Sequence, residues 1–594
     1  MGAPFTESRC VRDRRLAVSA GALAALWALS GFSVLTLEAV WLREIALRVG
    51  STAVSSALVI AVFFLFAAAG NLFGARCVAG RAHALRFYGG FESAAALSAV
   101  ALFALHRWLE ALGAVFPCSL SGSVLAATLL VGLPSFFSGA AFPGLAETFV
   151  EDADHRTSTG GLFYGLNLLG AGLGVAAGGV CLPWWLGAQG AFAVAVSAQL
   201  AGGLLAWRLA ASVLHVPQRS GADDAPEALP GRLGWLLLAL SGLLSLAAQT
   251  LLIVWVRQIL EGSIYAVCGV LTVFLAGLGL GGLAVAALRR RGWTAVRLLL
   301  LSASASALGL LIVPIVGTRF CEQGVVLTAA TPAGLLVQAL GVCLSFLPLT
   351  LCLGGVFPVA WELVRMTDAS EGRVLGAAMA LNKLGAAAGT ALGLFLLLPL
   401  AGLAHGTVVI AWGYLAIACL PLAGARRSVG RRTAFALAWL VVLCAWQTSR
   451  PEPVLGLARG ERALASSAGA YGPVTVLENC ASGSRQILLN SRQRLSGTRR
   501  ALISQRCQSW VPLLFTPNPE RVLTIGMAAG ISAAAALDFP LKRLESVELV
   551  PEVIKAARSH FGEWNAALFK DARSSVLAGD GRAWLARLGG GFDA

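Results

Sequence analysis

The residues best suited to chemistry fall within residues 521–584, which open RVLTIGMAAGISAAAALDFPLKRLESVELV. Val522, Leu523, Thr524 and Ile525 form a short apolar, β-prone run, Gly526, Ala528 and Gly530 follow at G-x-A-x-G spacing, and an alanine-rich helical segment comes next. A strand, a tight turn of small residues and a helix N-terminus present backbone N–H groups to a phosphate or a nucleoside. About twenty residues on, a second strand-like run at 544–549 carries Glu548, an acidic side chain placed to accept hydrogen bonds from both ribose hydroxyls. A third run ends in Ala578-Gly579-Asp580-Gly581. Three such features in this order predict a nucleoside-binding α/β unit.

The elements that must position this stretch differ in kind from it. The chain has 594 residues, 57% of them hydrophobic and only 13% charged, with a mean hydropathy of +0.77. That apolar fraction exceeds what a soluble core needs and predicts a polytopic membrane protein. The net charge of +15 could suggest nucleic acid, but the arginines sit in short segments between apolar runs and read as solvated, membrane-flanking charge. No nucleic-acid partner is expected; the lipid bilayer is. The 12 cysteines include no C-x-x-C and the six histidines are dispersed, so no metal site is expected. Cys480 and Cys507 alone lie in the C-terminal polar region, where a bridge would require an oxidising compartment.

A helical crossing needs about 20 apolar residues. Twelve such spans are predicted between residues 17 and 424, and a further run at 433–447 has only fifteen residues. With alternate loops assigned to alternate sides, twenty-one arginines fall on the side of the N-terminus and five on the other, so the N-terminus is expected in the cytoplasm of a bacterial inner membrane. If 433–447 crosses, the C-terminal polar region lies outside; if it does not, that region lies inside. The spans also repeat: Gly139-x-x-Phe142-Pro143-x-x-x-Glu147 and Asn167-x-x-Gly170-x-x-x-Gly174 recur 215 positions later as Gly354, Phe357, Pro358, Glu362, Asn382, Gly385 and Gly389. Six spans separate equivalents, so two halves of equal orientation are expected. This 6+6 plan resembles the major facilitator superfamily. The organisation read from these patterns is a first six-span repeat at 1–212, a cytoplasmic linker at 213–231 and a second repeat at 232–424. A basic loop with a possible thirteenth span follows at 425–450, then a linker and β-hairpin unit at 451–510 and a partial Rossmann-like nucleoside-binding α/β domain at 511–594.

Within the spans, Lys383 is the only lysine before residue 542 and sits near the predicted midplane, where an ammonium requires a polar or anionic partner. Glu38 is the candidate partner, and Asn382 the alternative polar contact. Asn167 is the counterpart of Asn382 in the first half. Glu147 and Glu362, each four residues after a proline near a cytoplasmic span end, read either as gate carboxylates or as exposed ones beyond a helix terminator. The glycine pairs read as helix-packing positions.

The soluble part carries the more specific resemblance. Tyr471-Gly472-Pro473 with a hairpin, Leu488-Leu489-Asn490 followed by Gln493, Pro512-Leu513-Leu514, Pro517-Asn518-Pro519, the glycine turn, Glu548 and Gly579-Asp580-Gly581-Arg582 together resemble the spermidine synthase family. The whole chain is similar to bacterial proteins that fuse a multi-span, major-facilitator-like domain to such a unit. The resemblance implies an aminopropyltransferase of polyamine biosynthesis that uses decarboxylated S-adenosylmethionine and a diamine such as putrescine. It places Gly526, Ala528 and Gly530 against the donor, Glu548 on the ribose, Asp580 on the adenine amine and Gln493 among the cofactor contacts. The family's catalytic aspartate follows the fourth strand and is expected beyond Ala594. Trp510 stands where the family has a histidine, and Ala528 and Ala529 replace a glycine and a small polar residue. Two other readings stay open: a transporter-like or scaffold protein with a degenerate nucleoside-sensing domain, and another S-adenosylmethionine-dependent transferase.

Overall fold

The computed structural model describes the chain apart from residues 1–4, 50–52, 82, 112–124, 126–127, 151–155, 212–228, 230–231, 261–263, 324–330, 365, 367–368, 425–430, 496, 499–500 and 589–590. The linker read at 213–231 therefore lies outside the described residues, save for Leu229. In hydrocarbon every backbone N–H and C=O must be satisfied within its own segment, and the apolar runs accordingly form long helices. Among the described residues ten segments are long and apolar enough to cross a membrane, consistent with a multi-pass membrane protein. The runs read at 161–184 and 190–211 form one segment, Arg156–Leu209, broken where Gly187 turns to φ +71°. The run read at 122–146 is the Leu133–Phe149 helix with a wide turn, Thr128–Gly132, ahead of it.

Glycines set how closely these helices approach. A Cβ on Gly170 or Gly174 would collide with the carbonyl oxygens of Ala28 or Phe32 in the Phe5–Val49 helix. A Cβ on Gly385 or Gly389 would collide with those of Ala239 or Leu243 in the Leu233–Leu260 helix. Asn167 donates through Nδ2 to the Trp27 carbonyl at 3.0 Å, and Asn382 donates to the Leu238 carbonyl at 3.3 Å. Each asparagine thus bonds the helix that its neighbouring glycines touch.

The run read at 433–447 belongs to an 18-residue helix, Arg431–Thr448, about 27 Å long at the ordinary rise. Leu437, Leu440 and Cys444 are buried against the bundle, and Gln447 donates to the Leu311 carbonyl at 2.8 Å. Beyond it, Glu452 accepts from the N–H groups of Ala404 (2.7 Å) and His405 (3.1 Å), capping the Leu403–Gly424 helix. The His405 ring lies 3.0 Å from Glu452 through Nδ1 and 2.7 Å from the Arg450 carbonyl through Nε2.

The chain then builds two sheets. The hairpin expected from 474–477 and 486–489 is the centre of a four-stranded antiparallel sheet, β1 (Glu461–Gly469), β2 (Gly472–Asn479), β3 (Arg485–Leu489) and β4 (Gln493–Leu495), in sequential order. The α/β unit is a parallel sheet of β5 (Arg521–Ile525), β6 (Arg543–Glu548) and β7 (Ser574–Ala578). On the other edge of β5, Leu523 N–H donates to Ala594 and Asp593 N–H to Arg521. The Asp593 carboxylate accepts from Glu520 and Arg521 N–H at 2.8 Å each, and these bonds hold its carboxyl below the ordinary carboxylate range. Alternation puts Val474, Val476 and Ile487 into one core with Val522, Leu544 and the Ile531–Ala536 helix.

Close approach at Gly385 makes a direct prediction. Gly385→Val should lower the unfolding midpoint of the detergent-solubilised chain, at a loss of about 1–3 kcal/mol from forced separation of two helices. The same substitution at Gly341, whose Cβ would meet nothing, should leave the midpoint within error.

Candidate functional site

The site is assembled by three strand ends. β5 delivers the turn Gly526–Gly530, β6 ends on Glu548 and β7 leads into Gly579-Asp580. Gly526 and Gly530 take φ +83° and +77°, as glycine permits, but Ala528 takes φ +49°, a left-handed conformation unfavourable for a residue with a Cβ. What secures it is Glu548. One carboxylate oxygen, Oε2, accepts from Met527 and Ala528 N–H at 3.0 Å each, and Oε1 accepts from Val550 N–H at 3.1 Å. Glu548 is buried.

A carboxylate offers about four acceptor positions, and three are filled by backbone. About one acceptor position of Glu548 is therefore left by the backbone bonds, not two. Asp580 is likewise engaged: Oδ1 accepts from Arg582 N–H at 2.9 Å and Ala583 N–H at 3.2 Å, which caps the Gly581–Leu588 helix. The space beside Gly526 and Gly579 is open: an added Cβ would meet no atom within 4 Å. Gly530 faces inward, onto Leu568 and Asn565, and so belongs to the packing of the turn.

Gln493 begins β4 and is exposed. The turn before it holds two adjacent left-handed non-glycine positions, Asn490 (φ +50°) and Ser491 (φ +55°). Trp510, in the histidine position of the resemblance, donates to Asp538 Oδ2 at 3.0 Å and to the Ala535 carbonyl at 3.2 Å. Cys480 and Cys507 are both free thiols.

In the bundle, Lys383 lies over the Phe142 ring, 5.2 Å from its centroid. The expected Glu38 partner is elsewhere: among the described residues no ion pair joins the two, and Glu38 lines a small cavity with Trp41, Phe63, Ser135 and Ser138. Ring electrons supply the compensation for which a carboxylate was expected. Asn382 also donates to Ser241 Oγ at 2.9 Å rather than serving the lysine. Glu147 and Glu362 are not the exposed carboxylates of a terminated helix; both are buried. Glu147 accepts from Gly80 N–H (2.7 Å) and Gly372 N–H (2.8 Å), and Glu362 pairs with Arg289 at 2.9 Å.

Two clusters escaped the sequence reading. Arg156, expected among the solvated flanking arginines, is 2% exposed and forms a bidentate pair with Glu371 at 2.7 and 2.8 Å while donating to the Val364 carbonyl at 2.9 Å. Glu92 lies inside a span, where Ser30 donates to it at 2.6 Å and Gln199 at 3.0 Å. A carboxylate inside an apolar run was the signal for the second. Nothing local marked the first, because its partner is 215 residues away.

No protein-family model matches the chain. The polyamine aminopropyltransferase of Korarchaeum cryptofilum is 34% identical over 82 residues, 14% of this chain and 26% of that protein. The polyamine aminopropyltransferase of Sulfolobus acidocaldarius is 33% identical over 72 residues, and putrescine N-methyltransferase 1 of Nicotiana tabacum 35% over 83. The chain spans about a quarter of the length of the curated relatives it matches. The crystal structure of spermidine synthase from Thermotoga maritima is similar at 21% identity over 21% of this chain and 43% of its own, with a TM-score of 0.20.

The clamp on the turn is testable without any ligand. Glu548→Gln replaces one acceptor oxygen by an amide that faces backbone N–H groups, and should destabilise the soluble unit by about 1–3 kcal/mol. Hydrogen exchange at 526–531 should accelerate in the variant; unchanged protection would show that Glu548 does not hold the turn.

Proposed function

We propose that the chain is a membrane-bound, spermidine synthase-like aminopropyltransferase that transfers an aminopropyl group from decarboxylated S-adenosylmethionine to a diamine such as putrescine. The observation that carries this reading is the convergence of Gly526, Glu548 and Gly579 on one open edge of a parallel sheet, in a chain locally similar to proteins named for polyamines and putrescine. Those relatives differ in the group moved and share an amine acceptor, which supports a polyamine as the small-molecule partner. In the reaction the amine nitrogen forms a bond to the carbon beside the sulfonium, the carbon–sulfur bond breaks with its electrons left on sulfur, and the nitrogen loses a proton. The residues at hand bind and orient: Glu548 accepts a ribose hydroxyl, the glycine turn admits the donor chain, and the Asp580 loop borders the adenine.

The bundle is proposed to be a two-half, major-facilitator-like assembly, supported by the matched asparagine and glycine contacts of Asn167 and Asn382. Polar contacts between the proposed halves collect at one end. Arg156 with Glu371, Glu147 with Gly372 and Arg290 with the Ser158 carbonyl (3.0 Å) all join residues on either side of the linker. That end carries most of the arginines, which supports a cytoplasmic assignment for it and for the N-terminus, in a bacterial inner membrane. The turn between β3 and β4 contacts the opposite end, through Gln258 and Ile259. The proposed orientation therefore puts the soluble unit on the non-cytoplasmic face.

A second reading is favoured by the three backbone bonds already made by Glu548: a transporter-like or scaffold protein whose soluble unit senses a nucleoside without turnover. Titration of the purified full chain with decarboxylated and with ordinary S-adenosylmethionine separates the possibilities. Tighter binding of the decarboxylated form is expected; preference for the ordinary form would point to a methyltransferase, and binding of neither would leave the transporter or scaffold. A reporter fused after Pro453 should be active as a periplasmic phosphatase and dark as a cytoplasmic fluorescent protein, and the reverse pattern would overturn the proposed orientation.

A further inference from the structure

We infer that Gln258, at the membrane-bundle end of the contact with the soluble unit, is a positioning residue for the nucleoside site, acting through the Asn490–Arg492 turn. The inference rests on the proposed nucleoside site for its functional consequence, but its geometry is independent of that reading.

Gln258 lies two residues from the end of the Leu233–Leu260 helix and is fully buried. Its amide uses both donors and its acceptor. Nε2 donates to the Val254 carbonyl of its own helix at 3.1 Å and to Asn490 Oδ1 at 3.1 Å, while Oε1 accepts from Ser491 Oγ at 2.8 Å. Arg492 donates to the carbonyl of Ile259, the next residue of the helix. Three consecutive residues of one turn are therefore gripped by two consecutive residues of one helix end.

The gripped turn is one that does not favour its own conformation. Asn490 and Ser491 both have positive φ, and neither is glycine. Asparagine tolerates that region and serine less so, which leaves the turn dependent on outside bonds. It is also held from the side by Asn490 N–H, which donates to the Pro473 carbonyl at 3.0 Å, and by Gly472, whose missing Cβ makes room for Asn490 Oδ1. Gln493 comes two residues after Ser491 and pairs with Leu489 in β3–β4. Where this turn sits thus decides where Gln493 is presented, and Gln258 decides where the turn sits. Displacing the end of the Leu233–Leu260 helix would release the turn, so the bundle and the soluble site are mechanically joined at this point.

The test uses the full chain in lipid nanodiscs. Gln258→Ala should raise amide exchange at 489–495 by about tenfold while leaving exchange at 544–548 in β6 unchanged, and should weaken binding of decarboxylated S-adenosylmethionine by about tenfold, the loss expected for one or two buried hydrogen bonds. Ser491→Gly removes one of those bonds and relieves the backbone, so it should raise exchange less; it replaces the alanine variant if that one does not fold. Unchanged exchange at 489–495 in a folded variant would overturn the grip. Faster exchange with unaltered affinity would overturn the positioning role while the Glu548→Ala variant, losing affinity, upheld the nucleoside site. If the unsubstituted chain binds no donor, the nucleoside reading fails and with it the role of Gln258 at that site, and the exchange data then judge the grip alone.

Discussion

The organisation of this protein depends on what an uncompensated charge costs in a low-dielectric medium. An isolated ion in hydrocarbon costs several kcal/mol, so each charge must reach water or find compensation. The flanking arginines reach water. Arg156 does not, and it is met by both oxygens of Glu371 and by a carbonyl. Removing Glu371 would leave the Arg156 charge buried without that carboxylate, a loss of about 3–5 kcal/mol that exceeds what the pair itself contributes. Such a contact specifies an arrangement more than it stabilises one. Arg156 and Glu371 lie 215 residues apart in the chain, so this pair fixes how the segments around one meet those around the other.

Lys383 obeys the same constraint by other means. Its ammonium rests on the face of Phe142, which in turn meets Trp27 edge-on with ring centroids 5.7 Å apart. The Trp27 carbonyl accepts from Asn167, next to the glycines that admit the first helix. A single chain of contacts therefore links the buried cation to the close helix approach. An enlarged residue at Gly170 would move Ala28 and with it the neighbouring Trp27.

Much of this was legible in the residues. Apolar runs of sufficient length implied the helices, because backbone self-satisfaction leaves the chain no alternative in lipid. The G-x-A-x-G turn and Glu548 were placed correctly at strand ends, since strand, turn and helix are local events. Partners distant in sequence were not legible. Glu38 looked like the natural counter-ion for Lys383, yet helix packing turns the lysine onto a ring. Glu147 looked terminal, yet a glycine backbone 225 positions away covers it. The extra strands β1 and β4 were missed because β1 is short of apolar residues and β4 has three residues, so neither shows a period.

The soluble unit reveals why its strained backbone survives. Of the four non-glycine residues with positive φ among the described residues, three lie in two turns: Ala528 in one, Asn490 and Ser491 in the other. Left alone, such turns would relax into commoner conformations. Each is instead held by one buried side chain that supplies hydrogen bonds to successive residues, Glu548 for the first and Gln258 for the second. The first anchor comes from the neighbouring strand, so the turn at Gly526–Gly530 belongs to the soluble unit itself. The second comes from a membrane helix. The backbone of the second turn is thus held from the bundle, through an amide whose donors and acceptor are all in use.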